Sequence, residues 1–260
     1  MQQIRKYPRT RHLEGSGLQA DDDPATALWS ELAGHTLVVE EKMDGANCGM
    51  SFDSNRRLRL QSRGHFLTGG PRERQFDLLK SWASRHASTL WDALGDRYVL
   101  YGEWLYGKHS IFYTDLPHYF MEFDILDTQT NLFLATAQRK LLLADCSIIA
   151  SVDVLYHGQL SSLAELTNLI GASHFVAANH RQQLIEAAHV ANGDPDQLVN
   201  ETDPSGLMEG LYIKIEQDGA VQGRYKYVRP GFLQTVLDSG SHWMDRPLLP
   251  NRLRAGVELW

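Results

Sequence analysis

The apolar and polar positions of the chain fall into blocks whose spacing predicts strands in the first half, helices after residue 136, and strands again near the end. Leu37, Val38 and Val39 form an apolar run that delivers Glu40, Glu41 and Lys42 into a turn at Asp44-Gly45, and Cys48 to Phe52 reads as a second short strand. Asp53-Ser54-Asn55 is a turn, and the alternation of Leu58 to Ser62 predicts a half-buried strand hairpinned to the one before it. Pro71 followed by Phe76, Leu79, Trp82 and Ala83 predicts an amphipathic helix over 71–87. Two β-rich runs follow, Arg97 to Gly107 and Tyr119 to Leu126. Ala137 to Asp145, Ser161 to Ile170 and Arg181 to Val190 carry apolar residues at helical spacing, with a short β run from Ile148 to Leu155 among them. Asp218-Gly219 is a hairpin signal between the runs 208–214 and 224–229. Residues 1–35 read as an arm, a turn at Gly15-Ser16-Gly17 and a short helix over Ala25 to Leu32, entered at Asp21-Asp22-Asp23-Pro24. Phe232 to Leu237 and a tail with Trp243, Leu248, Leu249, Leu253 and Trp260 predict either a cap on the domain or a joint to another subunit.

Composition narrows the class. With 260 residues, 43% apolar and 22% charged, the chain is of globular type and can bury a sizeable core. No apolar run reaches membrane-spanning length and the N-terminus lacks the apolar core of a signal peptide, so the expected address is the cytoplasm. Cys48 and Cys146 make neither a metal-ligand spacing nor a disulfide framework. The net charge of -7 argues against binding nucleic acid by bulk electrostatics, so any such contact is local. Basic residues do cluster, at Arg5, Lys6, Arg9 and Arg11, at Arg56, Arg57, Arg59 and Arg63, and at Arg72 and Arg74, although each cluster alone reads as a solvated face.

Several local signals carry chemistry or fail to. Gly15-Ser16-Gly17 lacks the third glycine of a dinucleotide fingerprint, and Thr68 to Arg74 lacks the Gly-Lys-Ser/Thr ending of a phosphate loop. His174, His180 and His189 do not form a metal-ligand pair with flanking carboxylates and read as surface residues. Glu103, set between Gly102 and Trp104 in a β run, is costly to bury unless it is paired or coordinating. Strand alternation puts Arg224 and Lys226 on one face, as an anionic phosphate requires. Lys42 between Glu41 and Asp44 keeps its charge in water; to act as a nucleophile its pKa must be lowered by burial or by neighbouring cations, for which Arg224 and Lys226 are the candidates.

The run Glu41-Lys42-Met43-Asp44-Gly45-Ala46-Asn47 resembles motif I of the covalent nucleotidyltransferases, a superfamily of DNA ligases, RNA ligases and mRNA capping enzymes. Its Gly-Ala-Asn ending is most similar to the RNA ligase 2 class. Further motifs follow in the order of that family: Glu103 in motif III, Phe123-Asp124 in motif IIIa, Glu209 to Lys214 in motif IV, and Arg224-Tyr225-Lys226 in motif V, where the usual pattern is Lys-x-Lys. The resemblance covers about residues 36 to 235. It implies an α+β nucleotidyltransferase catalytic domain over 1–235, with antiparallel sheets around a nucleotide cleft, followed by a tail over 236–260. Too little sequence follows Arg229 for an oligonucleotide-binding (OB) domain or for the helical domain of phage RNA ligase 2, so no C-terminal OB domain is expected, and a protein partner could take its place.

What the resemblance implies for chemistry is an ATP-dependent RNA ligase. Lys42 would take AMP from ATP, AMP would pass to a 5′-phosphate end, and a 3′-hydroxyl would displace it. Lys214, Arg224 and Lys226 would neutralise phosphates. Glu103 would contact the ribose hydroxyls, Arg63 the ribose or the nucleic-acid end, and Phe123 would stack on the adenine. The backbone at Glu41 would read the adenine amino group, Asp44 would belong to the nucleotide site or brace its turn, and Asn47 and Glu209 would orient Mg2+ or Mn2+. The partners implied are RNA ends or a nicked duplex. Rival readings are a DNA nick ligase, a capping-type guanylyltransferase, and a non-catalytic subunit that binds nucleic-acid ends.

Overall fold

The structure, a computed structural model, describes residues 3–18, 25–232 and 248–260. In chain order its elements are β1 (Arg11–His12), β2 (Leu37–Lys42), β3 (Ala46–Phe52), β4 (Leu58–Ser62), α1 (Asp77–Arg85), α2 (Ala87–Leu94), β5 (Tyr98–Trp104), β6 (Phe120–Asp127), β7 (Leu132–Phe133), α3 (Thr136–Leu142), β8 (Ala150–Ser151), β9 (Val154–Gly158), α4 (Leu163–Thr167), α5 (His180–Val190), α6 (Pro195–Asn200), β10 (Gly210–Gln217) and β11 (Ala220–Val228). Short 3-10 turns span Trp29–Glu31 and Pro71–Phe76. One sheet has the order β1-β11-β10-β2-β9 and the other β4-β3-β5-β6-β7, with β8 beside β6. All pairings are antiparallel except β1 with β11 and β6 with β8.

The chain crosses from one sheet to the other in three residues, Met43 to Gly45, between β2 and β3. Only glycine fits at the end of this crossing, because a Cβ on Gly45 would lie 2.7 Å from the Leu105 side chain and 2.8 Å from the Trp104 carbonyl. Alternation then sorts the side chains. Leu37 and Val39 of β2 join Leu211, Ile213 and Ile215 of β10 and Leu166 of α4 in one core. Cys48, Met50 and Phe52 of β3 join Leu100 and Trp104 of β5 in another, covered by Leu79 and Trp82 of α1 and Leu90 and Leu94 of α2. The opposite faces, with Glu40, Lys42, Lys214 and Lys226 on one sheet and Asn47, Tyr101 and Glu103 on the other, carry the polar residues.

Two helix expectations are refined. The helix over 71–87 is a 3-10 turn followed by α1, because buried Glu73 accepts from Thr68 N at 3.2 Å and Gly69 N at 2.8 Å and ties the first turn back to the preceding loop. A second helix, α2, continues to Leu94. The short helix over 25–32 is a 3-10 turn, and the arm before it adds β1 to the first sheet; the entry at Asp21 to Pro24 lies outside the described residues. The 218–219 hairpin forms as expected, with φ of 52° at Asp218 and 78° at Gly219, the left-handed pair of a tight hairpin turn.

The 105–119 connector, where a lid or substrate loop is the alternative to a packed segment, is packed. Lys108 to Thr114 are buried, and residues 249–254 run against them. Asn251 donates to Leu105 O at 2.7 Å, and its Oδ1 accepts from Tyr113 N at 2.9 Å. The described part of the tail therefore caps the domain; Trp243 lies outside the described residues.

Candidate active site

The antiparallel register of β2 and β10 pairs Gly210 with Lys42 and so brings the preceding Glu209 to the lysine. Lys42 Nζ lies 2.6 Å from Glu209 Oε1, with Lys42 half-buried and Glu209 buried. Gly210 is obligatory, since a Cβ there would meet the Tyr227 carbonyl at 1.9 Å. Behind Glu209, the guanidinium of Arg229 donates to Met208 O at 2.8 Å and to Ser205 Oγ at 3.0 Å and pairs with Asp203, so Arg229 braces the loop. From the other sheet come Asn47 and Glu103, direct register partners on β3 and β5. Asp44 Oδ2 accepts from Ser110 N and Ile111 N, each at 2.7 Å, so its charge is fixed beside the site while it anchors the connector.

These carboxylates set the charge of the site. Burial pulls the Lys42 pKa down, but Glu209, Glu103 and Asp44 more than offset it and hold the ammonium above its ordinary value. The lowering expected from nearby cations is thus absent in the protein without ligands, because its nearest charges are acidic. Burial pushes Glu103 up to about 8 and Glu209 up to about 7, each restrained by Lys42. Arg63, exposed at the end of β4, acts electrostatically on Glu103, and Lys226 on Glu209.

The remaining candidates make other contacts. Glu41 points to the other side of β2, where its carboxylate accepts from Ser173 Oγ at 2.6 Å, and burial raises it to about 7. Lys214 is fully buried, with Nζ 2.8 Å from Glu40 and 3.2 Å from Asp124 and donating to the Phe123 carbonyl. Arg224 shares its strand face with Lys226, but its guanidinium carbon lies 3.8 Å from the centre of the Phe133 ring and 5.6 Å from that of Tyr7. Phe123 sits at a bulge between the pairs Tyr101 with Asp124 and Gly102 with Glu122. The extra residue reverses the alternation, so Phe120 before it and Ile125 after it face the same core and the Phe123 ring is re-aimed, half-buried, towards Tyr7 and Tyr212.

Sequence reasoning missed the buried network beneath these residues. Arg139 of α3 donates to Glu40 and Glu122, each at 2.6 Å, tying the two sheets together, and Ser151 Oγ donates to Glu122 at 2.7 Å. Its available signal was the acidic pair Glu40-Glu41 inside an apolar strand. Among the described residues no group of three or more His, Cys, Asp or Glu side chains is placed to hold a metal ion.

The raised carboxyl groups predict how stability follows pH. Because Glu41, Glu103 and Glu209 bind protons more tightly folded than unfolded, stability falls as pH rises from about 5 towards 8, at up to about 1.4 kcal/mol per unit for each group. The raised Lys42 contribution stays intact throughout this window and is lost only above the ordinary lysine range. The melting temperature of the ligand-free protein should therefore drop over that interval, and Glu103→Gln should flatten the curve. A midpoint that rises with pH across the window would contradict the placement of these carboxylates.

The two antiparallel sheets around this cleft define the α+β nucleotidyltransferase fold of RNA ligases. The family model for RNA ligase matches residues 35–228, and the chain belongs to the RNA ligase family. The fold resembles structures of Naegleria gruberi RNA ligase: a variant with ATP and Mn is 18% identical, with a TM-score of 0.53, and covers 80% of this chain and 53% of its own. A variant with AMP and Mn is 16% identical, with a TM-score of 0.56, covering 90% and 59%. The chain thus spans little more than half the length of these relatives. Among curated proteins none matches the sequence. No helix among the described residues is long and apolar enough to cross a membrane.

Proposed function

We propose that the protein is an ATP-dependent RNA ligase that works through a covalent lysyl-AMP on Lys42 and acts on RNA ends in the cytoplasm. The observation that carries this reading is the Lys42 to Glu209 contact, made by two motifs far apart in sequence, within a chain of the RNA ligase family. The Naegleria gruberi relatives bound to ATP or AMP with Mn support the choice of nucleotide and divalent cation.

Lys42 Nζ attacks the α-phosphorus of ATP as the bond to pyrophosphate breaks, leaving AMP on the lysine as a phosphoramidate. Glu209 Oε1, 2.6 Å away, is the nearest acceptor for the proton that Nζ sheds. AMP then passes to the 5′-phosphate of an RNA end, and a 3′-hydroxyl expels it to join the strand. Positioning and charge neutralisation do most of the work in such transfers. Lys226 and Arg63 are the cations within electrostatic reach of the carboxylates at the site. Asn47 and Glu209 would hold Mg2+ or Mn2+, and the buried Glu209 Oε2, which has no hydrogen-bond partner, is an oxygen suited to a hard cation. Bound there, the cation supplies positive charge to the phosphates and draws negative charge away from Lys42.

Phe123 supplies the face for adenine. Phe123→Leu should raise the ATP concentration needed for adenylylation severalfold while moving the melting temperature little, since the ring is only half-buried. A large stability loss with unchanged ATP use would make it a core residue only. The function itself is tested by incubating the protein with labelled ATP and Mg2+ and resolving it under denaturing conditions. Label retained from ATP and not from GTP supports a ligase over a capping enzyme, and joining of an RNA nick in preference to a DNA nick separates the two ligase readings. An unlabelled protein would overturn the proposal.

A further inference from the structure

The family match begins at residue 35, yet a side chain from the arm before it is buried against Tyr101 and Phe123. Tyr7 is 4% exposed. Its ring lies 5.2 Å from that of Phe123, edge-on at 74°, and 5.1 Å from Tyr101 and 5.7 Å from Phe133. Its hydroxyl donates to Asp124 Oδ2 at 2.5 Å and shares a hydrogen bond with the Tyr212 hydroxyl. The arm is held at this place by its backbone, for the Arg5 carbonyl accepts from Tyr101 Oη at 2.6 Å and from Gln61 Nε2 at 2.7 Å.

We propose that Tyr7 is a positioning residue for the nucleotide, and that the N-terminal arm builds the back wall of the base-stacking platform. The inference rests on the reading of Phe123 as the adenine-stacking ring. Phe123 occupies a bulge and so lacks the ladder constraint that orients its neighbours. Its backbone carbonyl is held by Lys214, which also pairs with Asp124, the same residue that takes the Tyr7 hydroxyl. Its ring is bounded by Tyr7 on one edge and by Tyr212 at 5.8 Å on another. Arg224, by lying over both Phe133 and Tyr7, closes the aromatic stack from the far side. Removing the Tyr7 ring leaves space beneath Phe123, which then loses its fixed angle to the base.

The test measures single-turnover adenylylation against ATP concentration in the full-length chain. Tyr7→Leu should raise the half-saturating ATP concentration about tenfold and leave the maximal rate within about threefold, the scale of one well-placed ring pair. Tyr7→Phe, which keeps the ring and loses only the hydroxyl, should raise it about threefold. In the double variant with Phe123→Leu the Tyr7→Leu effect should nearly vanish, because Tyr7 acts through that ring. If Tyr7→Leu does not fold, Tyr7→Phe decides alone: an ATP dependence equal to wild type overturns the inference. A lower melting temperature with unchanged ATP dependence in either variant, or full additivity with Phe123→Leu, also overturns it. Wild-type protein that takes no AMP would instead overturn the proposed function, and wild-type labelling insensitive to Phe123→Leu would overturn the platform.

Discussion

Lys42→Ala is expected to abolish covalent labelling by ATP while leaving the protein folded, and this is the largest effect the site predicts. The amine is the atom at this position that can carry AMP; its neighbours Glu209 and Glu103 are acids, and Lys214 is engaged by Glu40, Asp124 and the Phe123 carbonyl. Folding should survive, because burial raises the Glu103 and Glu209 carboxyls, which can take up protons instead of staying as unpaired buried charges once the ammonium is gone. The carboxylates it leaves behind take up protons near neutral pH, so the variant should be more stable at pH 6 than at pH 8. Intact-mass analysis after incubation with ATP reads both species. An AMP adduct of normal yield on Lys42→Ala would place the nucleophile elsewhere.

The second large effect is expected at Lys226. Tyr212 is its register partner across the hairpin, and the charge of Lys226 reaches Glu209, so it stands on the cleft face where a phosphate would lie. Losing one oriented cation from a phosphoryl-transfer site costs on the order of 3 kcal/mol, or about a hundredfold in rate, whereas a surface lysine costs almost nothing. Lys226→Ala should therefore slow adenylylation about a hundredfold or more. Arg224→Lys, which restores the Lys-x-Lys pattern usual in motif V, should keep much of the chemistry but lower the melting temperature, since the flat guanidinium stack on Phe133 is lost. Arg229→Ala should act through stability and the placement of Glu209, given its bonds to Met208, Ser205 and Asp203. Normal rates in Lys226→Ala together with loss of chemistry in Arg229→Ala would show that the cation of the site is the latter.

Much of this protein was legible in its sequence because the information is local. Alternation in Leu37 to Lys42 and in 210–217 marks which side chains face apart, the Asp218-Gly219 pair specifies a tight turn, and the short spacing from Lys42 to Gly45 confines the lysine to a strand end. Motif order carried the family. What the sequence could not supply is how charges compensate each other across long separations. Alternation put Arg224 and Lys226 on one face, but where the Arg224 side chain ends depends on Phe133 and Tyr7, which arrive from other parts of the chain. Lys214 looked like a phosphate ligand; only the pairing of β10 with β2 and the approach of β6 set it between Glu40 and Asp124. The sign of the Lys42 shift was likewise decided by packing, since Glu209, Glu103 and Asp44, brought from three parts of the chain, outweigh the effect of burial. The sequence determined which groups could do the chemistry, and the tertiary structure decided which of them meet, because ion pairing and burial depend on distance in space and not on position in the chain.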